Sequence, residues 1–345
     1  MSQGVIYLIA FSLTALLTGI VRRYALRHNI LDFPNARSSH RVPTPRGGGV
    51  AFVTVFIVLL VWGFWSHKVS LGFFVAMVGG GLAVAVTGWL DDRYRLSVRI
   101  RALVHAGVAL WALFWLGGMK TLDVGWGRVE LGLIGLFVGF LGIVWMINLF
   151  NFMDGIDGLA ASEAIVVALV SGLLLWDKGD VSLATVTWLL AAVCAGFLVW
   201  NWAPARIFMG DVGSGFLGYS FAVFAIFSEN AGTVPLLAWG ILLGVFLTDA
   251  TLTLLRRIVQ RERWYEAHRS HVYQLAVQAG YSHSQVTVAV VAINLVLAVL
   301  SYLALRWASS LTLVTLASMG ALSLLWFWLR KLFSGNMSTP VQFGS

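Results

Sequence analysis

Residues 132–159 read GLIGLFVGFLGIVWMINLFNFMDGIDGL, and this stretch decides the fold. Its first part, about 131–149, is an uncharged apolar run of the length that a bilayer-spanning helix needs, roughly 20 residues. The run ends in two amides and two carboxylates: Asn148, Asn151, Asp154 and Asp157. The stretch therefore predicts a membrane helix that carries polar side chains to one membrane boundary.

The composition of the whole chain agrees with this prediction. Of the 345 residues, 59% are hydrophobic and 11% are charged, and the mean hydropathy is +0.86. Soluble domains carry about 25% charged residues, so a water-soluble globular protein is excluded. The 16 tryptophans are typical of aromatic anchors at membrane interfaces. The single cysteine, Cys194, excludes an intrachain disulfide and a cysteine-rich metal site.

Similar apolar runs recur along the chain and predict an all-α polytopic membrane protein. The candidate spans lie at about 4–21, 47–66, 71–90, 102–119, 131–149, 159–176, 181–200, 215–228, 233–255, 286–305 and 308–328. The eighth is short, and only Arg306-Trp307 separates the last two, so ten or eleven transmembrane helices are predicted. Since no hydrophilic stretch exceeds about 30 residues, residues 1–345 are expected to form one integral membrane domain.

The basic residues predict the orientation. Of the 23 lysines and arginines, 18 lie in the loops that follow odd-numbered spans or in the C-terminal tail. Because cytoplasmic loops are enriched in lysine and arginine, the N-terminus is predicted to lie outside the cytoplasm and the C-terminus inside it. The net charge of +8 is then a topology signal, and no nucleic-acid partner is expected.

Carboxylates and amides gather at the predicted cytoplasmic boundary. They are Asp91, Asp92, Asp154, Asp157 and Asp211, accompanied by Asn148, Asn151 and Asn201. A single aspartate at a helix end is usually a solvated cap, but five on one face favour a shared function. Oxygen ligands bind hard cations, and Mg²⁺ uses one or two carboxylates together with substrate phosphates. The pattern therefore predicts a magnesium-assisted reaction at this boundary.

Two basic elements face the same side. Arg46 precedes the second span and is either a phosphate ligand or only a positive-inside residue. In the cytoplasmic loop 256–285, His268 and His271 lie three residues apart, so on a helix they would share a face and, beside Arg269, would bind a diphosphate. Asp249 lies inside the ninth span, where a charge is costly, so it is expected to have a function although the sequence shows no partner.

These motifs resemble those of the polyprenyl-phosphate N-acetylhexosamine-1-phosphate transferases, the superfamily of WecA and MraY. The resemblance covers about residues 30–285, and its most specific parts are Asn148-x-x-Asn151-x-x-Asp154-Gly-x-Asp157-Gly and Asn201-x-x-Pro-x-x-x-Phe208-Met-Gly-Asp211-x-Gly-Ser. The histidine segment and the Asn35-to-His40 segment look most like the O-antigen-initiating WbpL-type branch. Arg95 stands where the WecA branch has a third acidic residue, so that acid is not an essential ligand here.

The resemblance implies transfer of N-acetylhexosamine-1-phosphate from a UDP-sugar to undecaprenyl phosphate, as the first membrane step of O-antigen or cell-surface polysaccharide synthesis. It implies Mg²⁺, with Mn²⁺ as a substitute, held by Asp211 and Asn151. It implies that Asp91, Asp92 and Asp154 are catalytic, the aspartate pair by orienting or deprotonating the lipid phosphate. The implied substrate-binding residues are Arg46, Asn148, Asp157, Asn201, Phe208 (by stacking on uracil), His268, Arg269 and His271. It implies location in a bacterial inner membrane, with the N-terminus in the periplasm, and a homodimer is a further expectation.

Other functions stay open at this point. A transporter is disfavoured because its site would lie near the bilayer midplane between repeated halves. A UDP-MurNAc-pentapeptide transferase is disfavoured by the absence of three consecutive histidines, and an inactive scaffold by the intact motifs. The sugar is undetermined among GlcNAc, GalNAc, FucNAc and QuiNAc, with 6-deoxy sugars and GlcNAc favoured.

Overall fold

A computed structural model describes residues 2–34, 42–263 and 268–336. The Asn35-to-His40 segment lies outside these ranges. The long helices are α1 (Gln3–Arg27), α2 (Gly49–Trp65), α3 (Leu71–Tyr94), α4 (Val98–Leu116), α5 (Gly132–Met153), α6 (Leu159–Asp177), α7 (Val181–Asn201), α8 (Asp211–Ala231), α10 (Gly244–Val259), α12 (His283–Arg306) and α13 (Leu311–Asn336). The short helices are α9 (Leu236–Leu242) and α11 (Val272–Gln278), and strands β1 (Leu31–Asp32), β2 (Thr44–Pro45), β3 (Thr121–Asp123) and β4 (Arg128–Glu130) form two antiparallel pairs.

The prediction of an all-α polytopic membrane protein is confirmed. Within the described ranges, nine helices are long and apolar enough to cross a membrane, and the bent pair α9 and α10 would make a tenth. Helix α2 is apolar but has only 17 residues, which is about 26 Å at 1.5 Å per residue. Each of the eleven predicted segments coincides with one of these helices or with the bent pair.

The structure differs from the predicted segments in three respects. The ninth segment is broken, because α9 and α10 meet at an angle of 82°. Helix α10 buries Asp249, Thr253 and Arg257, which gives this half of the segment a polar interior face. The predicted loop 256–285 is shorter than expected, since α10 reaches Val259 and α11 forms within the loop. Helix α8 begins at Asp211, four residues before the predicted span, so this carboxylate belongs to a helix and not to a loop.

The loops that follow odd-numbered spans meet at one end of the bundle, which we call the acidic end. Contacts between distant loops show this: Arg46 pairs with Asp211, and the Ala205 amide donates to Asp157. At the opposite end, the Asp123 amide donates to Glu229 and Thr233 donates to Asp180. The two-sided arrangement that the basic residues require is therefore present, and which end faces the cytoplasm stays a prediction.

Helix α8 lies at the centre of the bundle and is buried over nearly its whole length. It packs against α3 and α5, and the Tyr219 hydroxyl of α8 donates to the Ala76 carbonyl at 2.7 Å, where α3 contains a single π-helical turn (Ala76–Gly80). A Cβ at Gly80 would collide with that hydroxyl. The helix that carries Asp211 is therefore fixed firmly by its neighbours.

Candidate active site

The centre of the acidic end is a pair of carboxylates joined by one arginine. Arg46 Nη2 lies 2.8 Å from Asp92 Oδ1 and 2.7 Å from Asp211 Oδ1. The Asp211 amide, at the start of α8, donates to Asp92 Oδ1 at 3.1 Å. The second oxygen of Asp92, Oδ2, is buried and has no hydrogen-bond partner among the described residues. The guanidinium thus neutralises only part of this carboxylate cluster.

Backbone hydrogen bonds hold Arg46 in place. The Phe208 amide donates to the Pro45 carbonyl at 2.8 Å, and the Gly48 amide donates to the Phe208 carbonyl at 2.9 Å. Gly210 has a φ of +75°, and a Cβ there would collide with the Asp92 carboxylate. Burial lowers the pKa of Arg46, but the carboxylates of Asp211 and Asp92 raise it more, so the net shift is upward and the guanidinium stays charged.

A second arginine–carboxylate pair lies on the other face of the same cluster. Arg101 Nη1 is 2.9 Å from Asp91 Oδ2, and the Leu96 amide donates to Asp91 Oδ1 at 2.6 Å. Both side chains line a small cavity between α3, α4, α5 and α8, which Asp211 and Asn148 also line. Asp211 therefore touches both faces: it pairs with Arg46 on one and lines the cavity beside Arg101 on the other.

The two amides at the end of α5 border this cavity. Asn148 Nδ2 donates to the Val144 carbonyl at 2.7 Å and lies 3.4 Å from His105 Nδ1. Asn151 Nδ2 donates to Ser214 Oγ at 3.3 Å, one turn into α8. The structure thus brings both predicted amides together with Asp211.

The two aspartates after α5 have different surroundings. Among the described residues, none makes a hydrogen bond or ion pair with the Asp154 carboxylate, which is half-buried next to the cluster. Burial raises the pKa of Asp154, nearby Asp211 raises it further, and Arg46 opposes them. Asp157 Oδ2, in contrast, accepts from the Ala205 amide at 3.0 Å and lies 3.2 Å from His283 Nδ1.

His283 is a residue that the sequence did not single out. It begins α12, 126 positions after Asp157, and its contact fixes the turn that carries Asp154. Since the two residues share no motif, only the three-dimensional packing of α12 against this turn reveals the pair.

The contacts of Asn201 are with backbone groups. This side chain is 3% exposed, its Oδ1 accepts from the Gly158 amide at 3.1 Å, and its Nδ2 donates to the Ile207 carbonyl at 3.0 Å. Asn201 therefore ties the Asp154 turn to the segment before Phe208. Phe208 itself is half-buried. The predicted contacts of both residues with uracil stay predictions.

The histidine segment precedes a helix and does not lie on one. Helix α11 begins at Val272, so the helical premise for His268 and His271 is wrong, but their rings do stack, with centroids 5.0 Å apart. The pKa of His268 is lowered to about 3 because the ring is partly buried and lies near His271, Arg257 and Arg256. The carbonyl of Arg269 accepts from Gln278, and the predicted diphosphate contact of Arg269 stays a prediction.

Asp249, which had no partner in the sequence analysis, organises this segment. It accepts hydrogen bonds from the Val272 amide at 3.0 Å, the Tyr273 amide at 3.4 Å and Trp326 Nε1 at 3.0 Å. His271 Nδ1 lies 3.7 Å from the same carboxylate. Asp249 therefore connects α10 to the start of α11 and to α13, and so fixes the position of the histidines.

A groove of about 760 Å³ connects the histidines with the carboxylate cluster. Its polar wall is formed by Arg101, His105, Asn148, Asn151, His268 and His271. Its apolar wall is formed by Ala102, Ala106, Phe140, Leu141, Val144, Trp145 and Leu254. Leu141 on this wall is 47% exposed, so the groove opens at the surface of α5.

The carboxylates suit a hard cation that brings most of its own ligands. The described residues contain no preformed group of three histidine, cysteine or acidic side chains around a common point. Mg²⁺ does not need one, because it keeps several waters and binds through one or two carboxylates and substrate phosphates. The partnerless Asp92 Oδ2 and the adjacent Asp211 provide oxygens of this kind.

The fold and the site together define a polytopic α-helical membrane protein in which a charged site lies at one end of an apolar groove. Comparison with known proteins places it further: residues 74–229 match the family described as glycosyl transferase family 4. A decaprenyl-phosphate N-acetylglucosaminephosphotransferase of Mycolicibacterium smegmatis is 32% identical, over 80% of this chain and 75% of the relative. An undecaprenyl-phosphate α-N-acetylglucosaminyl 1-phosphate transferase of Yersinia pestis is 30% identical, over 83% and 79%. A probable undecaprenyl-phosphate N-acetylglucosaminyl 1-phosphate transferase of Bacillus subtilis is 29% identical, over 81% and 78%.

The chain belongs to glycosyl transferase family 4. The resemblance to the polyprenyl-phosphate transferases is thereby confirmed at the level of the superfamily. The WbpL-type branch stays a prediction.

Proposed function

We propose that this protein transfers N-acetylhexosamine-1-phosphate from a UDP-sugar to undecaprenyl phosphate, with undecaprenyl-diphospho-sugar and UMP as products. The observation that carries the proposal is that an apolar groove ends at Arg101, whose partner Asp91 lies beside a second arginine–carboxylate group formed by Arg46, Asp92 and Asp211. The named activities of the relatives support the same reaction.

The groove suits the lipid acceptor. Its apolar wall on α4 and α5 matches a polyprenyl tail, and its inner end carries Arg101 and Asn148, where the phosphate would arrive. An arginine binds phosphate through charge-assisted hydrogen bonds. The acceptor would thus enter from the membrane and present its phosphate to the Asp91 face of the cluster.

The nucleotide donor fits the other face. Arg46 and the half-buried Phe208 lie on adjacent, hydrogen-bonded segments, and Asp154 points its unpaired carboxylate to the same cluster. An aromatic ring offers a stacking surface for uracil, worth about 1–3 kcal/mol by analogy with other base–aromatic stacks. His268 and His271 border the groove on the side where the sugar diphosphate would extend, and Arg269 lies between them in the chain.

The proposed cofactor is Mg²⁺, with Mn²⁺ as a substitute, held by Asp211 and Asp92 with Asn151 beside them. The ion would neutralise the charge of the donor diphosphate. Asp91, Asp92 and Asp154 then complete the electrostatic environment around it.

The chemistry requires positioning more than covalent participation. An oxygen of the lipid phosphate forms a bond to the β-phosphorus of the donor, and the bond from that phosphorus to the bridging oxygen breaks, so that UMP leaves with the electron pair. A phosphate monoester with a second pKa near 6 is largely dianionic at neutral pH. We therefore assign Asp91 and Asp92 to the orientation of the phosphate and the cation, and not to obligatory proton removal.

The relatives that are named for N-acetylglucosamine favour UDP-GlcNAc as the first donor to test. A place in O-antigen or related surface-polysaccharide synthesis, location in the bacterial inner membrane with the acidic end in the cytoplasm, and a homodimeric state belong to the same proposal.

The direct test is UMP release by the purified, detergent-solubilised protein. Undecaprenyl phosphate and Mg²⁺ are supplied with UDP-GlcNAc, UDP-GalNAc, UDP-FucNAc or UDP-QuiNAc, and each reaction is repeated without lipid and with EDTA. We expect release that needs both lipid and metal. Release without lipid would indicate a UDP-sugar hydrolase, and folded protein that releases no UMP from any donor would contradict the proposal.

A further inference from the structure

His105 lies on α4, one helical turn after Arg101, and nothing in the sequence pattern assigns it a role. Both side chains line the groove and also the small cavity that contains Asp91 and Asp211. His105 therefore lies at the point where the apolar groove meets the charged site.

The contacts of the ring determine its tautomer. Asn148 Nδ2 donates to the Val144 carbonyl at 2.7 Å, so this atom is the amide nitrogen and can only donate. The same nitrogen lies 3.4 Å from His105 Nδ1. Nδ1 is then the acceptor, and in the neutral ring the proton resides on Nε2.

The Nε2–H group is consequently a donor for which no partner exists among the described residues. It belongs to a ring that lines the groove, on the face where Arg101 supplies a positive charge. A neutral donor beside a guanidinium suits a phosphate oxygen, because hydrogen bonds to charged acceptors are about twice as strong as neutral ones.

We propose that His105 is a positioning residue for the acceptor: its Nε2–H donates to the phosphate of the polyprenyl phosphate, while Asn148 holds Nδ1. The inference rests on the proposed function, since it takes the acceptor to be a lipid phosphate that arrives through the groove. The donor nucleotide is the weaker choice, because Arg46 and Phe208 lie on the other face of the cluster and neither lines the groove.

Three substitutions separate this role from simple packing. In His105→Gln the amide nitrogen takes the place of Nε2–H, whereas in His105→Asn it takes the place of Nδ1, and His105→Ala removes both. Leu103→Ala is the matched control, because Leu103 lies on the same helix and is 73% exposed on its lipid-facing side.

The measurement is the initial rate of UMP release over separate concentration series of undecaprenyl phosphate and of the UDP-sugar. We expect the KM for the lipid to rise about tenfold or more in His105→Ala and His105→Asn, as for the loss of one hydrogen bond to a charged group. The KM for the UDP-sugar should stay within twofold, and His105→Gln and Leu103→Ala should resemble the wild type. Equal damage in His105→Gln and His105→Ala, a rise in the KM for the UDP-sugar alone, or an unchanged lipid KM in all variants would overturn the proposal.

A binding measurement separates this inference from the proposed function. Native mass spectrometry of the wild type and the same variants with undecaprenyl phosphate, and with undecaprenol as the tail without phosphate, reports lipid capture without turnover. We expect His105→Ala to lower occupancy by the phosphate and not by the alcohol. If the wild type bound the lipid phosphate in this way but released no UMP, the transferase proposal would fail and the His105 contact would stand. Equal loss of both lipids would overturn the His105 contact.

Discussion

Carboxylates lie at both ends of this helix bundle, but among the described residues the opposite end has no buried carboxylate oxygen that lacks a hydrogen-bond partner, whereas the acidic end does. At the opposite end, Glu229 uses both oxygens, accepting from the Asp123 amide at 2.8 Å and from the Leu236 amide at 2.7 Å. Asp180 caps α7 by accepting from the Leu183 amide at 3.0 Å. These acids satisfy backbone groups at the ends of helices and connect loops.

At the acidic end, the carboxylate oxygens outnumber the donors that contact them. Asp92 Oδ2 is buried without a partner, and the Asp154 carboxylate makes no hydrogen bond to the described residues. Two arginines supply charge but do not saturate the oxygens. The comparison teaches that an acid at a helix end indicates a site only when its hydrogen-bonding capacity is incompletely used.

The largest expected effect comes from replacing the central acid. Asp211→Asn keeps the shape of the side chain but removes the charge that faces both Arg46 and the inner cavity. We expect kcat to fall about 10²–10³-fold, as for the loss of a major preorganised electrostatic group, with a small change in unfolding temperature. The measurement is UMP release at saturating substrates over a Mg²⁺ series.

Glu229→Gln is the matched control from the opposite end. An amide can accept only one of the two backbone hydrogen bonds, so we expect a stability loss of about 1–3 kcal/mol and an unchanged kcat in folded protein. Equal loss of kcat in the two variants would show that the two ends do not differ in function.

The arginines give the next largest effect. Arg46→Gln leaves Asp92 and Asp211 without their shared cation, so we expect kcat/KM to fall about 10²-fold, as for the loss of one preorganised hydrogen-bond donor at a charged site. Arg128→Gln is the counterpart at the opposite end, where Arg128 lies 3.7 Å from Asp123 and is half exposed. An exposed pair contributes about 0–1 kcal/mol, so its activity should not change. The measurement is kcat/KM for the UDP-sugar, and a wild-type value for Arg46→Gln would remove Arg46 from the site.

Much of this arrangement was predictable from the sequence. Apolar runs of bilayer length located the helices, and the motifs from Asn148 to Asp157 and from Asn201 to Asp211 located the acidic end, because the ends of alternate spans must meet on one side of a membrane. The structure brings Arg46, Asp92 and Asp211 into contact at this end.

What escaped prediction depends on contacts between residues far apart in the chain. The role of Asp249 requires α13 to bring Trp326, 77 positions later, to the same carboxylate. The pair of Asp157 with His283 requires α12 to return to the acidic end. The break between α9 and α10 could not be predicted from apolar length, because the two helices together are as apolar as an unbroken span.

A variant of Asp249 tests whether an acid whose oxygens all accept hydrogen bonds from the protein affects the site only indirectly. In Asp249→Asn one oxygen is replaced by an amide that cannot accept from the Val272 amide or from Trp326. We expect the unfolding temperature to fall by a few degrees, in line with a cost of about 1–3 kcal/mol, and the KM for the UDP-sugar to rise a few-fold, because the histidines lose their support. Hydrogen exchange over residues 268–278 should accelerate in parallel.

Trp326→Phe is the control, because it removes only one of the donors to Asp249, and it should give a smaller version of both changes. If the amides of residues 268–278 in Asp249→Asn kept their normal protection from exchange while the KM rose, Asp249 would contact the substrate directly.

The smallest effect concerns the charge of His268. In the folded protein its pKa is lowered to about 3 from the ordinary 6.5, so the ring is neutral throughout pH 6–9. Between pH 3 and 6.5 the unfolded chain binds more protons at this residue than the folded chain. The folded state therefore loses stability as the pH falls through this window. Above pH 6.5 the ring is neutral in the folded and the unfolded chain, so this loss is absent.

We expect His268→Gln to show a smaller fall in unfolding temperature between pH 8 and pH 5 than the wild type, and the two pH–rate profiles between pH 6 and 9 to have the same shape. A wild-type rate that titrates near pH 6.5 and loses this step in His268→Gln would mean that the ring acts in its charged form, and the histidine segment would then be a cationic diphosphate site and not a neutral one.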